Sequence, residues 1–260
     1  ARGTLTPAER VGLLGDEWWM VQSGRHDISV FFDLAGALAT DPTAAVTTSI
    51  TVALAYASDY LVPAAEGPKF EQWVRRRFEP VLNQLLSANS NEELDQERTA
   101  ALLDLVGIRG ASSDVQRRAR ELAATYMKDP SSLPATVAPA VLQVAAYGGD
   151  TTLYGQYRAR LEQLASQPEE YYRFFTALLY FDEPALITRT LEFAVSPKVR
   201  TQDTATLLAG ALARPWSRDQ AWAFIKQHWP ELTKQLGTFQ GIPRIVQATS
   251  NFCTTEAAAD

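Results

Sequence analysis

The chain has 260 residues, 46% of them hydrophobic and 21% charged, so it has enough apolar side chains to bury a sizeable core. Its net charge of -6 argues against a nucleic-acid surface, because phosphate binding needs an excess of clustered Lys and Arg. No run approaches the ~18 apolar residues of a membrane helix. The single cysteine, Cys253, excludes an internal disulfide and is expected in the core. We therefore predict a soluble, folded chain that binds neither nucleic acid nor membrane.

The first segment carries the signals of an amphipathic helix. Thr6 is placed to cap it, Pro7 suits its first position, and Glu9 completes a capping box. Apolar residues then follow at helical spacing up to Gly24, which is typical of a helix end. This segment predicts a helix that begins after Thr6.

Similar start and stop signals recur about every 15 to 20 residues, whereas strand-like alternation is missing. They predict helices over 27–38, 42–61, 73–86, 92–106, 113–127, a segment ending at 147, 151–164, 168–180, 184–195, 201–212, 217–228 and 243–248. Ser113 is the expected cap of the fifth of these, and the sequence Gly67-Pro68 is expected to separate two helices. Helix pairs at roughly 35 to 45 residues are typical of α-solenoids. We predict an all-α, HEAT- or armadillo-like superhelix of stacked antiparallel helix pairs, forming one domain over residues 1–260.

No motif for metal or phosphate chemistry occurs in the chain. A zinc peptidase needs two imidazoles one helical turn apart, and the only histidines, His26 and His228, are far apart in sequence. A phosphate-binding loop is also missing, so Gly12 and Gly15 are expected to permit close helix packing. We predict no catalytic, cofactor-binding or metal-binding residue in this chain.

Two further patterns have a functional and a structural interpretation. Glu169 and Glu170 resemble an acid–base pair, but they also suit the first turn of a helix that begins at Pro168. The tryptophans are too scattered for a stacking platform and are expected to pack in the core and between helices. These are Trp18, Trp19, Trp73, Trp216, Trp222 and Trp229. In both cases the structural interpretation is favoured.

Several blocks of the sequence resemble one known family. They are LTPAERVGLLGDEW at 5–18, VRTQD at 199–203, ARP at 213–215, AWAF at 221–224, HW at 228–229 and the tail 245–254. In this order and spacing they resemble the C-terminal domain of puromycin-sensitive and endoplasmic-reticulum aminopeptidases, which are gluzincin zinc enzymes. The resemblance covers nearly the whole chain.

The resemblance implies a function for the parent protein. In that family the domain is a helical superhelix that closes over the catalytic domain of the same polypeptide and lines the peptide-binding cavity. The parent uses zinc, held in the catalytic domain, to remove N-terminal residues from its peptide substrate. Some members hold the peptide C-terminus with basic and tyrosine residues of this domain. The candidates here are Tyr56, Tyr60, Tyr180 and Arg244, none of them fixed by a local motif.

The first and last residues of the sequence suggest that the chain is part of a longer protein. It begins at Ala1 without an initiator Met and stops at Asp260, where the family continues with further helices, so we expect a C-terminal fragment with an exposed apolar face. The cytoplasm is the favoured compartment. The alternative functions are a stand-alone helical-repeat scaffold for protein interactions and an all-α enzyme with an unfamiliar site.

Overall fold

The computed structural model describes residues 5–88, 90–237 and 241–255. Within these ranges every regular element is helical and no strand occurs, which confirms the all-α class. The α-helices are α1 (Pro7–Gln22), α2 (Ile28–Ala37), α3 (Ala44–Tyr56), α4 (Gly67–Ala88), α5 (Glu93–Asp104), α6 (Ser113–Tyr126), α7 (Ala138–Ala146), α8 (Thr151–Gln163), α9 (Pro168–Ala177), α10 (Pro184–Ala194), α11 (Thr201–Leu212), α12 (Arg218–Gln227), α13 (Trp229–Leu236) and α14 (Gly241–Ala248).

Shorter helical turns extend or connect these helices. Two are π-helical, Ala57–Leu61 after α3 and Leu105–Arg109 after α5. The 3₁₀ turns are Ala64–Glu66, Pro130–Ser132, Leu178–Tyr180 and Thr249–Asn251. The predicted helix ends at 61, 106 and 180 therefore include turns in which the α-helical hydrogen-bond pattern has already changed.

The predicted capping box at the start of α1 is confirmed. Thr6 Oγ1 accepts a hydrogen bond from the Glu9 amide at 3.3 Å, and Glu9 Oε2 accepts one from the Thr6 amide at 2.7 Å. These two bonds satisfy amide groups that the first turn of a helix leaves free. Gly24, just beyond the helix, has a positive φ of 69°, a conformation that glycine adopts without steric cost.

The chain divides into two compact units, residues 1–144 and 145–260. In the first, α1 packs against α2 and α3, and α5 packs against α3 and α4. Its core includes Leu14, Phe31, Ile50, Phe78 and Leu102, each at most 1% exposed. Each helix thus packs mainly on helices close to it in sequence, which is consistent with α-solenoid-like packing in this unit.

The second unit shows the same principle. Here α8 packs against α9, α10 packs against α11 and α12, and α11 also contacts α13 and α14. Tyr157, Phe174, Phe181 and Leu208 are fully or almost fully buried in its core. That the two units together form one domain over residues 1–260 stays a prediction.

Three helix boundaries differ from the sequence-based expectation. Gly67-Pro68 opens α4 instead of preceding it, because a proline in the first turn costs no intrahelical hydrogen bond. For the same reason Pro230 lies in the first turn of α13, a helix that was not predicted. Ser112, not Ser113, caps α6, and its Oγ accepts from the Val115 amide at 3.3 Å.

Three expectations about burial are wrong. Cys253 is exposed, and Trp19 is 71% exposed because it lies on the outer face of α1 next to the half-buried Trp18. Gly12 and Gly15 are exposed, and a Cβ at either position would have no neighbour within 4 Å. They therefore do not mediate close helix packing.

An apolar groove of about 480 Å³ lies among α12, α13 and α14. Trp222, Ile225, Trp229, Ile245 and Val246 line it, and Val246 is 54% exposed. It lies in the part of the chain where an apolar face was expected, although the attribution to missing helices stays a prediction. The terminal residues 1–4 and 256–260, on which the expectation of a fragment rests, lie outside the described residues.

Candidate functional site

The two histidines have separate local environments. His26 Nδ1 lies 2.8 Å from Glu17 Oε1 on the surface, and the ring of His228 packs 4.3 Å from that of Phe224. Among the described residues no group of three or more His, Cys, Asp or Glu side chains could hold a metal ion. These residues do not fit a zinc site.

The two glutamates at the start of α9 belong to a local ion-pair network. Glu169 Oε1 accepts from Arg173 Nη2 at 2.5 Å, and Glu170 accepts from the other terminal nitrogen of the same guanidinium. Both carboxylates lie in the first turn of the helix, where the helix dipole favours negative charge. The structural interpretation of this pair is therefore the better one.

In the first unit, Tyr56 and Tyr60 belong to one aromatic cluster. Their ring centroids are 4.8 Å apart, and Trp18 packs edge-on 5.7 Å from Tyr56. Tyr56 ends α3 and is 42% exposed, whereas Tyr60 belongs to the π-helical turn that follows. The structure thus brings together two of the residues singled out from the sequence and adds Trp18, which had been interpreted as a packing residue.

An ion pair supports the turn that carries Tyr60. Asp59 Oδ2 accepts from Arg109 Nη2 at 2.9 Å, and each side chain is 13% exposed. Arg109 ends the second π-helical turn, so the bond joins the two turns. π-helical turns are rare and occur frequently at functional sites.

In the second unit, Tyr180 lies in a separate cluster of half-buried side chains. The Arg214 guanidinium lies 4.3 Å over the Tyr180 ring, and the Trp216 ring is 5.9 Å from it. Tyr147 packs edge-on against Trp216 at 5.2 Å. A cation at this distance from an aromatic face is attracted to the ring.

Backbone carbonyls hold the two added side chains of this cluster. Trp216 Nε1 donates to the Leu179 carbonyl at 3.1 Å, and Arg214 Nη1 donates to the Gly210 carbonyl at 2.6 Å. The Arg214 Nε is buried without a hydrogen-bond partner among the described residues. The guanidinium therefore has unused donor capacity beside an aromatic surface.

Arg244 stands apart from this cluster. It is exposed on α14, and its Nη1 donates to Thr206 Oγ1 of α11 at 2.9 Å. Within the described residues, no hydrogen bond or ring contact joins it to Tyr180. The basic residue beside Tyr180 is Arg214, and its signal in the sequence was the ARP block at 213–215, where it stands one residue from the proline.

The comparisons with known proteins identify the family to which this helical chain is similar. The sequence model of the family described as "ERAP1-like C-terminal domain" matches residues 1–260. Endoplasmic reticulum aminopeptidase 2 of Bos taurus is 27% identical over 97% of the chain and 27% of the relative. The Homo sapiens protein of the same name is 24% identical over 95% of the chain and 26% of the relative. Aminopeptidase M1-A of Oryza sativa is 25% identical over 91% of the chain and 27% of the relative.

The fold and the family match define an all-helical domain of the kind found in aminopeptidases. The chain belongs to the ERAP1-like C-terminal domain family. It spans about a quarter of the length of the curated relatives that it matches. No helix in the described part of the chain is long and apolar enough to cross a membrane.

Proposed function

We propose that this chain is the non-catalytic C-terminal domain of a zinc aminopeptidase and that it bounds the cavity in which the parent binds peptides. The observation that carries the proposal is the family match along residues 1–260, with relatives named aminopeptidases of which the chain covers only about a quarter. In the parent, the zinc ion would supply the activated water for hydrolysis. Its ligands would come from the catalytic domain of the same polypeptide.

The Tyr180 cluster is the part of this chain best suited to recognise an anionic group of the peptide. Arg214 combines a guanidinium held by the Gly210 carbonyl with the adjacent ring of Tyr180, and Trp216 packs beside that ring. A guanidinium binds a carboxylate through two parallel hydrogen bonds, which a terminal carboxylate of a peptide provides. We assign to Arg214 the contact with the peptide C-terminus, with Tyr180 positioning its side chain.

The Tyr56 cluster suits a different part of the peptide. Trp18, Tyr56 and Tyr60 offer partly exposed rings, and the charge next to Tyr60 in the chain, Asp59, is paired with Arg109. Aromatic rings bind apolar side chains and tolerate many sequences. This cluster would act as a wall against which side chains of the peptide pack.

The first experiment compares the 260-residue chain with the protein encoded by the full reading frame. Both are purified, their zinc content is measured, and both are assayed with aminoacyl reporters. We expect zinc and activity only in the longer protein. Zinc with activity in the short chain would contradict the proposal, and absence of both from the longer protein would favour a stand-alone interaction scaffold.

The second experiment tests Arg214 in the full-length protein. Arg214→Gln is assayed on one peptide with a free C-terminus and on the same peptide with an amidated C-terminus. We expect kcat/KM to fall about tenfold for the free peptide only, because a hydrogen bond to a charged group contributes about 1.5–3 kcal/mol. Arg189→Gln, which removes an exposed arginine of α10, is the control. An equal loss on both peptides would contradict the assignment.

A further inference from the structure

A cationic groove lies in the unit of residues 145–260, and none of the residues assigned to the peptide lines it. It has a volume of about 490 Å³, and α8, α9, α10 and the segment before α11 contribute to its walls. Its lining residues are Arg158, Leu161, Glu162, Ala165, Tyr171, Phe193 and Lys198. The volume is within the range of small-molecule sites, which is about 300–1,000 Å³.

Arg158 lines this groove and packs over an aromatic ring. Its guanidinium carbon is 3.4 Å from the centroid of the Phe193 ring, which is 6% exposed. Its Nε is buried and has no hydrogen-bond partner among the described residues. Glu162, one helical turn further on, is engaged by Lys198, whose Nζ lies 2.8 Å from Glu162 Oε1. Because the buried Nε is out of reach of a ligand, the donors that Arg158 offers are its two terminal nitrogens, which make no hydrogen bond to a described residue.

Tyr171 adds a second free donor. Its neighbour Tyr172 donates to the buried Asp203 carboxylate at 3.0 Å, whereas the Tyr171 hydroxyl makes no hydrogen bond to a described residue. Burial, and then the Asp203 charge, raise the pKa of Tyr171, so its hydroxyl stays protonated at neutral pH. The Tyr171 ring is fixed by stacking on Phe175 at 5.5 Å.

The charges around the groove favour a ligand with a single negative charge. Arg158, Lys198 and Arg200 are cationic, and Glu162 and Asp203 are anionic, with Glu162 and Lys198 paired to each other. A cationic site in a chain of net charge -6 is a local exception. These three cations and two anions leave one positive charge, which a carboxylate balances and a doubly charged phosphate exceeds, and the carboxylate also matches the fork of one guanidinium.

We propose that this groove binds a carboxylate attached to a flat apolar group. The carboxylate accepts hydrogen bonds from Arg158 and Tyr171, and the apolar part packs against Leu161, Ala165 and Phe193. A small organic acid and an acidic side chain next to an aromatic residue in another protein share this chemistry. The site is independent of the peptide-binding role proposed above.

The test is an NMR titration of the 260-residue chain with benzoate, and with benzamide, which has the same shape without the charge. Inorganic phosphate and a blocked peptide with one glutamate beside a phenylalanine are titrated in parallel. We expect benzoate to bind and to perturb the groove, while benzamide and phosphate do not. Tighter binding of the peptide would identify an acidic protein segment as the ligand, and binding of benzoate alone would identify a small acid.

Three variants make the test specific. Arg158→Gln should weaken benzoate binding at least about tenfold, as expected from loss of a charged hydrogen bond. Tyr171→Phe, which removes only a hydroxyl, should weaken it several-fold without loss of folding. Arg189→Gln, an exposed arginine of α10 outside the groove, should leave it unchanged. Absence of benzoate binding, equal binding of benzamide, or equal loss in Arg189→Gln would overturn the proposal.

Discussion

Arg109 and Asp59, 50 residues apart in sequence, form an ion pair, 2.9 Å between Nη2 and Oδ2, that joins two π-helical turns. One turn, Ala57–Leu61, follows α3, and the other, Leu105–Arg109, follows α5. Such turns replace the regular α-helical pattern and depend on their surroundings for stability. The pair fixes the turn that carries Tyr60, a residue of the aromatic cluster proposed to contact peptide.

We expect Asp59→Asn and Arg109→Gln each to lower the free energy of unfolding by about 1.5–3 kcal/mol, because each removes a hydrogen bond between two charged, largely buried side chains. Urea unfolding measures the change. The double variant should cost less than the two single changes together, which is the sign of a direct interaction. Arg117→Gln removes an exposed helix pair and should have no measurable effect, whereas simple additivity at the Arg109–Asp59 pair would contradict the interpretation.

A second ion pair, in the first unit, makes stability depend on pH. Arg10 Nε lies 2.8 Å from Asp41 Oδ2, and Arg98 Nη2 donates to the Asp41 carbonyl at 3.1 Å. Burial alone would raise the pKa of Asp41, but hydrogen bonds from Thr43 and the Arg10 charge outweigh it and lower this pKa. A carboxyl with a lowered pKa stabilises the fold above its unfolded pKa of about 3.9, and this contribution is lost on further acidification.

Asp41→Asn should therefore destabilise the chain by about 3 kcal/mol at neutral pH, because it leaves the largely buried Arg10 without its counter-charge. The loss should shrink as pH falls below about 4, where the wild-type carboxyl also becomes protonated. Urea unfolding at neutral and acidic pH measures both effects. A loss independent of pH would show that Asp41 acts through its shape and not its charge.

Local signals in the sequence were sufficient for much of the helical fold. Thr6 with Glu9 marks the start of α1, and the predicted segment 201–212 coincides with α11. Two of the three boundaries that failed involve prolines, because Pro68 and Pro230 suit a first helical turn as well as a break. The change from the α- to the π-helical pattern after Tyr56 carried no recognisable signal in the local sequence.

The candidate sites were less predictable than the fold. Tyr56 and Tyr60 are one helical turn apart, so their contact follows from local spacing. Arg214 reaches Tyr180 only because α11 packs beside the 3₁₀ turn that ends α9, and residue spacing does not contain this information. Arg244, chosen from the sequence, instead binds Thr206 on the surface.

The exposure of Cys253 is open to a direct chemical check. Its side chain is exposed, and Sγ lies 3.9 Å from the Asn251 carbonyl oxygen. Because accessible thiols react with disulfide reagents in the native state, we expect one thiol equivalent to react as fast in the folded chain as in the denatured one. Cys253→Ser should abolish the reaction. Protection of the thiol until unfolding would restore the core location expected from the sequence.

Glycine substitutions at two positions should have opposite effects on stability. Gly12 lies in α1 with nothing within 4 Å of an added Cβ, so Gly12→Ala should stabilise by about 0.5–1 kcal/mol through helix propensity alone.

Gly107 lies in the second π-helical turn, and a Cβ there would overlap Cγ1 of the fully buried Val144 and approach Cγ2 to 3.1 Å. Gly107→Ala should therefore destabilise by about 1–3 kcal/mol, because a close-packed core accommodates an extra methyl group only by moving its neighbours. Thermal or urea unfolding of both variants measures the difference. The companion change Val144→Ala should recover part of the loss in Gly107→Ala, since it removes the overlapping methyl groups. If the double variant were as unstable as the two single changes combined, the close approach between these two residues would not be the cause.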